Sequence, residues 1–95
     1  MKFLVDLGFD EVDIKKVETQ SPELLLKEFR EARKLVSDNI KFLRDLGVIN
    51  YKDVVINYAD MFLMDPSNFQ NVFLKYEKDD LIEKIAKNVR VVEHL

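Results

Sequence analysis

Apolar residues recur along this chain at steps of three and four, broken at intervals by residues that stop or start helices. Residues 1–7 read as a short helix, which Gly8 closes. Asp10 is placed to cap a helix running to Glu18 or Thr19, with Ile14, Val17 and more weakly Val12 on one face. Ser21 then reads as a cap, Pro22 as the first helical residue and Glu23 as a first-turn carboxylate. From there to Leu46 the chain holds no Gly or Pro. Leu25, Phe29, Ala32, Val36, Ile40 and Leu43 follow helical spacing, with Leu35, Phe42 and Leu46 widening the stripe. The run is either one long helix or a short helix followed by a longer one. Gly47 suits a left-handed C-cap.

Asn50 is placed to cap a short helix over Tyr51 to Tyr58 with Val54, Val55 and Tyr58 inward. Its β-branched "VVIN" also suits a strand, but a lone strand has no partner here, so helix is preferred. "ADMFLM" reads as an apolar turn or short helix. Asp65–Pro66 opens a helix to about Tyr76, "EKDD" breaks it, and Asp80 opens a last one on Ile82, Ile85, Ala86, Val89 and Val92. The expectation is an all-α stack of about six short helices and one longer helix, without a sheet, in a single domain over residues 1–95.

Composition agrees with this pattern. Two Gly and two Pro in 95 residues suit helices, and 47% apolar residues are too many for a disordered chain. Without Cys there is no disulfide, thiolate nucleophile or cysteine metal site. No apolar stretch approaches the roughly 20 residues of a membrane span. The opening "MKFLVDLGFDEVD" turns acidic too soon for a signal peptide. A cytoplasmic protein is expected.

Two segments resemble each other. "FLVDLG" at Phe3 and "FLRDLG" at Phe42 share Phe, Leu, Asp, Leu and Gly at an offset of 39 residues. Farther on, Ala59 stands where the first copy has Pro22, and Met61 and Phe62 where it has Leu24 and Leu25. "DLIEKIAKNVRVV" suggests a third half-copy. A period of this length marks stacked helical units, each burying an apolar face against its neighbour.

The chain resembles the repeats of the mitochondrial transcription termination factor family. These read as an apolar "FLxxLG", a short helix, then a proline followed by leucines. Phe3, Leu4, Leu7, Gly8, Ile14, Val17, Pro22, Leu24 and Leu25 match that form, as do Phe42, Leu43, Leu46, Gly47, Val54, Met61 and Phe62. The resemblance spans most of residues 3–63. It implies two and a half helical repeats and, through the curved surface such repeats build, nucleic-acid binding.

Candidate chemistry is sparse. The chain has no HExxH, GxSxG or phosphate loop, and its single His is His94. Asp6 with Asp10 and Asp79 with Asp80 read better as solvated or helix-starting residues than as catalytic pairs. No cofactor, metal site or enzymatic activity is expected. On a helix at about 100° per residue, Arg30, Arg33, Lys34, Lys41 and Arg44 share an arc that suits a phosphate backbone. Lys27–Glu31, Lys34–Asp38 and Lys41–Asp45 are nevertheless spaced for local ion pairs. The net charge of −3 also repels phosphate. "NFQNVFLKY" places Phe69, Phe73 and Tyr76 on one face. These close the core or, where exposed, anchor a partner. The favoured function is therefore a non-enzymatic helical module that contacts a protein partner or itself, with nucleic-acid binding through the five basic residues as the alternative.

Overall fold

The computed structural model describes residues 1–95, and every element in it is helical. A 3₁₀ helix at Lys2–Leu7 precedes α1 (Glu11–Gln20), α2 (Glu23–Glu31), α3 (Arg33–Leu46) and α4 (Tyr51–Asn57). A central 3₁₀ helix (Ala59–Leu63), α5 (Pro66–Leu74), α6 (Lys78–Lys87) and a C-terminal 3₁₀ helix (Val89–His94) complete the chain.

Side-chain caps explain several of these starts. Asp10 accepts from the Asp13 amide at 2.8 Å, and the Asp10 amide donates back to Asp13 at 3.1 Å. The Asp13 amide holds the Asp10 carboxyl below the usual carboxylate range. Asp65 accepts from Ser67 and Asn68 ahead of α5. Three expected starts are corrected. Glu77 opens α6 three residues earlier than Asp80, accepting from the Asp79 and Asp80 amides at 3.2 and 2.6 Å. Ser21 does not cap α2: it is extended, and Pro22 stands just outside the helix instead of at its first position. Asn50 turns its side chain away from α4 to donate to the Ile85 carbonyl at 2.9 Å.

The long apolar run resolves into α2 and α3, bent at Ala32 (φ −100°, ψ 29°). The bend brings Leu26 and Phe29 from one helix and Val36 from the next into the same core. Helix α3 is central. The N-terminal and central 3₁₀ helices, α2, α4 and α5 all pack on it. Val36, Asn39, Ile40 and Leu43 are completely buried. Asn39 is the one polar residue in the core. Its amide donates to the Phe62 and Met64 carbonyls at 3.0 and 2.9 Å, tying α3 to the chain leaving the central 3₁₀ helix. Twenty buried apolar side chains form one continuous cluster. The principal extents of 34 × 25 × 23 Å describe a rounded block, with no elongated curve.

The two "FLxxLG" segments end alike in space. Gly8 (φ 95°) and Gly47 (φ 110°) are both left-handed. The Gly8 and Phe9 amides donate to Val5 and Leu4, and the Gly47 and Val48 amides to Arg44 and Leu43. Each is a Schellman stop sealed by a buried apolar residue, Phe9 or Val48. Helices α1 and α4 follow these stops and pack against each other. Tyr51 ties α4 to the first stop: its hydroxyl donates to the Leu7 carbonyl at 2.6 Å and its ring meets Phe9 edge-on.

A Cβ on Gly8 would lie 2.6 Å from the Tyr51 hydroxyl oxygen, whereas one on Gly47 would meet only the tip of Ile82 at 3.1 Å. Gly47→Ala is expected to cost about 1–2 kcal/mol for the left-handed conformation, and Gly8→Ala at least about 1 kcal/mol more for overpacking. In a Tyr51→Phe background the difference should vanish, as read by urea unfolding.

Asn39→Asp exchanges a double donor for a buried carboxylate facing two carbonyls. It should cost about 3 kcal/mol or more at neutral pH. Burial raises the pKa of such a carboxyl in the folded state. The folded state is therefore favoured below that raised value and loses stability as pH rises through it. Urea midpoints measured from acid to neutral pH should fall for this variant relative to the parent.

Candidate functional site

Helix α5 carries the aromatic stripe but turns most of it inward. Phe69 and Phe73 are 0% and 1% exposed, so they close the core, and as candidate partner contacts both are corrected. Phe69 lies 5.0 Å from Phe62 and 5.1 Å from Phe73, and both Phe69 and Phe73 also meet Phe42, at 6.2 and 6.5 Å between ring centroids. Burial of each such ring stabilises the fold by about 1.5–3 kcal/mol, so neither ring is available to a partner. Tyr76 differs. It lies beyond the end of α5 and is 40% exposed, with the Lys75 ammonium 5.7 Å from its ring centre.

Tyr76 lines a cleft of about 180 Å³ together with Asp80, Leu81 and Lys84 of the α6 region and Val91, His94 and Leu95 of the chain's last turn. Leu81, Val91 and Leu95 make the apolar part of the lining. Lys84 pairs with Asp80 at 3.0 Å on its rim. Two other depressions are larger but more open to solvent. One, beside the N-terminal 3₁₀ helix, is lined by Met1, Val5 and Ile14 with Lys2, Asp6 and Glu11. The other follows α1 alone.

The cleft's outer wall is fixed from the far side. The Tyr58 hydroxyl donates to Glu93 at 2.8 Å, and Arg90 approaches the same carboxylate at 3.5 Å. Val92 buries beneath them, and Asn88 caps the segment through the Arg90 amide. The Tyr58 bond holds the Glu93 carboxyl below its usual range and raises the Tyr58 hydroxyl. The spacing along α6 hid this cleft. Of the face read as Ile82, Ile85, Ala86, Val89 and Val92, Ile85 and Val92 are buried and Ile82 and Val89 half-buried, but Ala86 is exposed and Leu81, outside that face, is buried. An earlier helix start at Lys78 was the missing signal.

The basic residues are exposed but divided by the bend at Ala32. Arg30 lies in the last turn of α2, and Arg33, Lys34, Lys41 and Arg44 lie on α3. Lys27–Glu31 and Lys34–Asp38 pair at 3.9 and 3.4 Å as their spacing suggests. Lys41 does not pair with Asp45, because Arg44 takes that carboxylate at 3.1 Å. Arg30, Arg33 and Lys41 thus carry no ion pair. No three His, Asp or Glu side chains converge as a metal site. No helix is long and apolar enough to cross a membrane.

Comparison of the chain with family models, curated proteins and solved structures returns no match.

The Tyr58–Glu93 bond has a testable acid signature. A carboxyl with a depressed folded-state pKa adds stability above its usual value of 4.5 and loses it as pH falls through the folded value. Glu93→Gln should therefore remove part of the loss in stability on acidification. Urea midpoints of parent and variant are expected to differ at neutral pH and converge in acid.

Proposed function

We propose that this chain is a non-enzymatic, cytoplasmic helical module that binds a protein partner through the cleft beside Tyr76. The observation that carries this reading is a cleft of about 180 Å³ that joins an exposed aromatic ring to an apolar lining and an ionic rim. Its size suits one large apolar side chain. Partly exposed aromatics of this kind anchor interfaces because they release much apolar area from water at little conformational cost. Asp80, Lys84 and His94 at the rim would orient the segment that carries the anchor.

The family resemblance adds a second reading, nucleic-acid binding by stacked helical repeats. Matching Schellman stops at Gly8 and Gly47 support the repeat, and the unpaired Arg30, Arg33 and Lys41 support the charge. Against it stand the net charge of −3 and the carboxylates Asp38 and Asp45 among the cations. The rounded shape also offers no extended cradle.

Peptide display on the folded chain, followed by fluorescence anisotropy, tests the first reading. Selected peptides should share one large apolar residue, and Tyr76→Ala should weaken them about tenfold or more. Enriched peptides indifferent to Tyr76→Ala and Lys84→Glu would sink the assignment of this cleft. Titration with labelled DNA and RNA at low and high salt tests the second reading. Salt-sensitive binding abolished by Arg33→Glu with Lys41→Glu would replace the first.

A further inference from the structure

Helix α1 buries only Val17. Its outward side is a shallow groove of about 280 Å³ lined by Val12, Lys15, Lys16, Thr19 and Gln20. Val12 is 62% exposed. Neither Lys15 nor Lys16 has an ion-pair partner. The carboxylates Glu11 and Glu18 of the same helix lie outside the lining. The groove thus joins one exposed aliphatic side chain to two lysines a turn farther along the helix, on a chain that is negative overall.

Helix α2 presents the opposite character. Leu24 is 70% exposed. Glu28 and Glu31 follow it at four and seven residues, so the three form one stripe along the helix. Glu28 has no ion-pair partner, and Lys27 reaches Glu31 only at 3.9 Å. An exposed aliphatic side chain followed by two glutamates matches an exposed aliphatic side chain followed by two lysines. The two surfaces leave each other uncovered within one chain, since Val12 and Leu24 both stay in water.

We propose that a second copy of this chain covers them, the acidic stripe of α2 in each copy lying in the basic groove of α1 in the other. A two-fold arrangement makes this contact twice, because every copy carries both halves. Charge complementarity sets the pairing and its register, and burial of Leu24 and Val12 supplies the apolar drive. This surface shares no residue with the Tyr76 cleft and stands independently of the reading of that cleft.

Sedimentation equilibrium from about 5 to about 500 µM, at low and high salt, reads the outcome directly. The wild-type chain should pass from its 11.2 kDa monomer toward twice that mass, with weaker association in high salt. Lys15→Glu with Lys16→Glu, and separately Glu28→Lys with Glu31→Lys, should each weaken association about tenfold or more. All four sites are exposed, and circular dichroism verifies that the variants stay folded. An equimolar mixture of the two variants should associate again, since the swapped charges attract across one contact and the native charges across the other. Leu24→Asp should abolish the dimer without charge-swap rescue, while Tyr76→Ala leaves it intact. A wild-type chain that stays monomeric throughout overturns the proposal. So does a dimer indifferent to the charge reversals or lost with Tyr76→Ala. A monomer whose Val12 and Thr19 resonances shift with an unrelated acidic amphipathic peptide overturns it in favour of a different partner.

Discussion

Everything in this fold depends on burying α3 from several directions at once. A helix that presents Val36, Ile40 and Leu43 with no exposure needs cover from both its ends and both its flanks. Short elements supply it: a 3₁₀ helix before, another after, and α2, α4 and α5 around them. Such short helices are marginal alone, because nucleation is costly and few hydrogen bonds follow. Their stability comes from packing on α3. Asn39 shows the polar side of the same constraint. A chain crossing the middle of α3 brings carbonyls into the core, and one amide satisfies two of them. Its own oxygen stays buried without a partner, a penalty of about 1–3 kcal/mol that those two bonds offset.

The surface follows from how the apolar residues were allocated. With so many aromatics drawn into the cluster of Phe42, Phe62, Phe69 and Phe73, Tyr76 is the one aromatic among the exposed large apolar side chains. Tyr76 lies where α5 has ended and the chain turns into α6. Leu24 and Val12 lie on the outer sides of helices that give only one or two residues to the core. A molecule this short cannot cover every helix twice, since small domains bury a lower fraction of their surface. On α3, Lys34 and Arg44 are paired with Asp38 and Asp45, and the chain's net charge is negative.

Much of the fold was legible in the residues. Asp10 and Asp65 cap where short carboxylates before a helical run should, and Gly8 and Gly47 stop helices in the left-handed conformation expected of them. The departures share one cause. Asn50 and Ser21 are good caps by residue type, but Asn50 finds a distant carbonyl on α6 and Ser21 precedes a proline that sets the helix entry. Glu77, a weaker cap by type, takes the place assigned to Asp80 because the chain turns immediately after Tyr76. The site was legible only in part. Phe69, Phe73 and Tyr76 share a helical face in the pattern, yet that periodicity does not say where α5 ends, and its end separates the buried pair from the exposed ring.

The sequence by itself determined that this is a helical chain of 95 residues with a negative balance, two glycine stops and one dominant apolar stripe. These are local properties, set by backbone propensity, capping and periodicity within a few residues. Only the tertiary structure decided which apolar residues are used up inside. It placed a bend at Ala32, turned Asn39 into a clamp and spent two of three aromatics on the core. It also brought Tyr76 to residues up to 19 positions away, at Leu95. Helical spacing says which residues share a face. Which faces meet is settled by competition among all of them for one small core, and what loses that competition becomes the surface available to a partner.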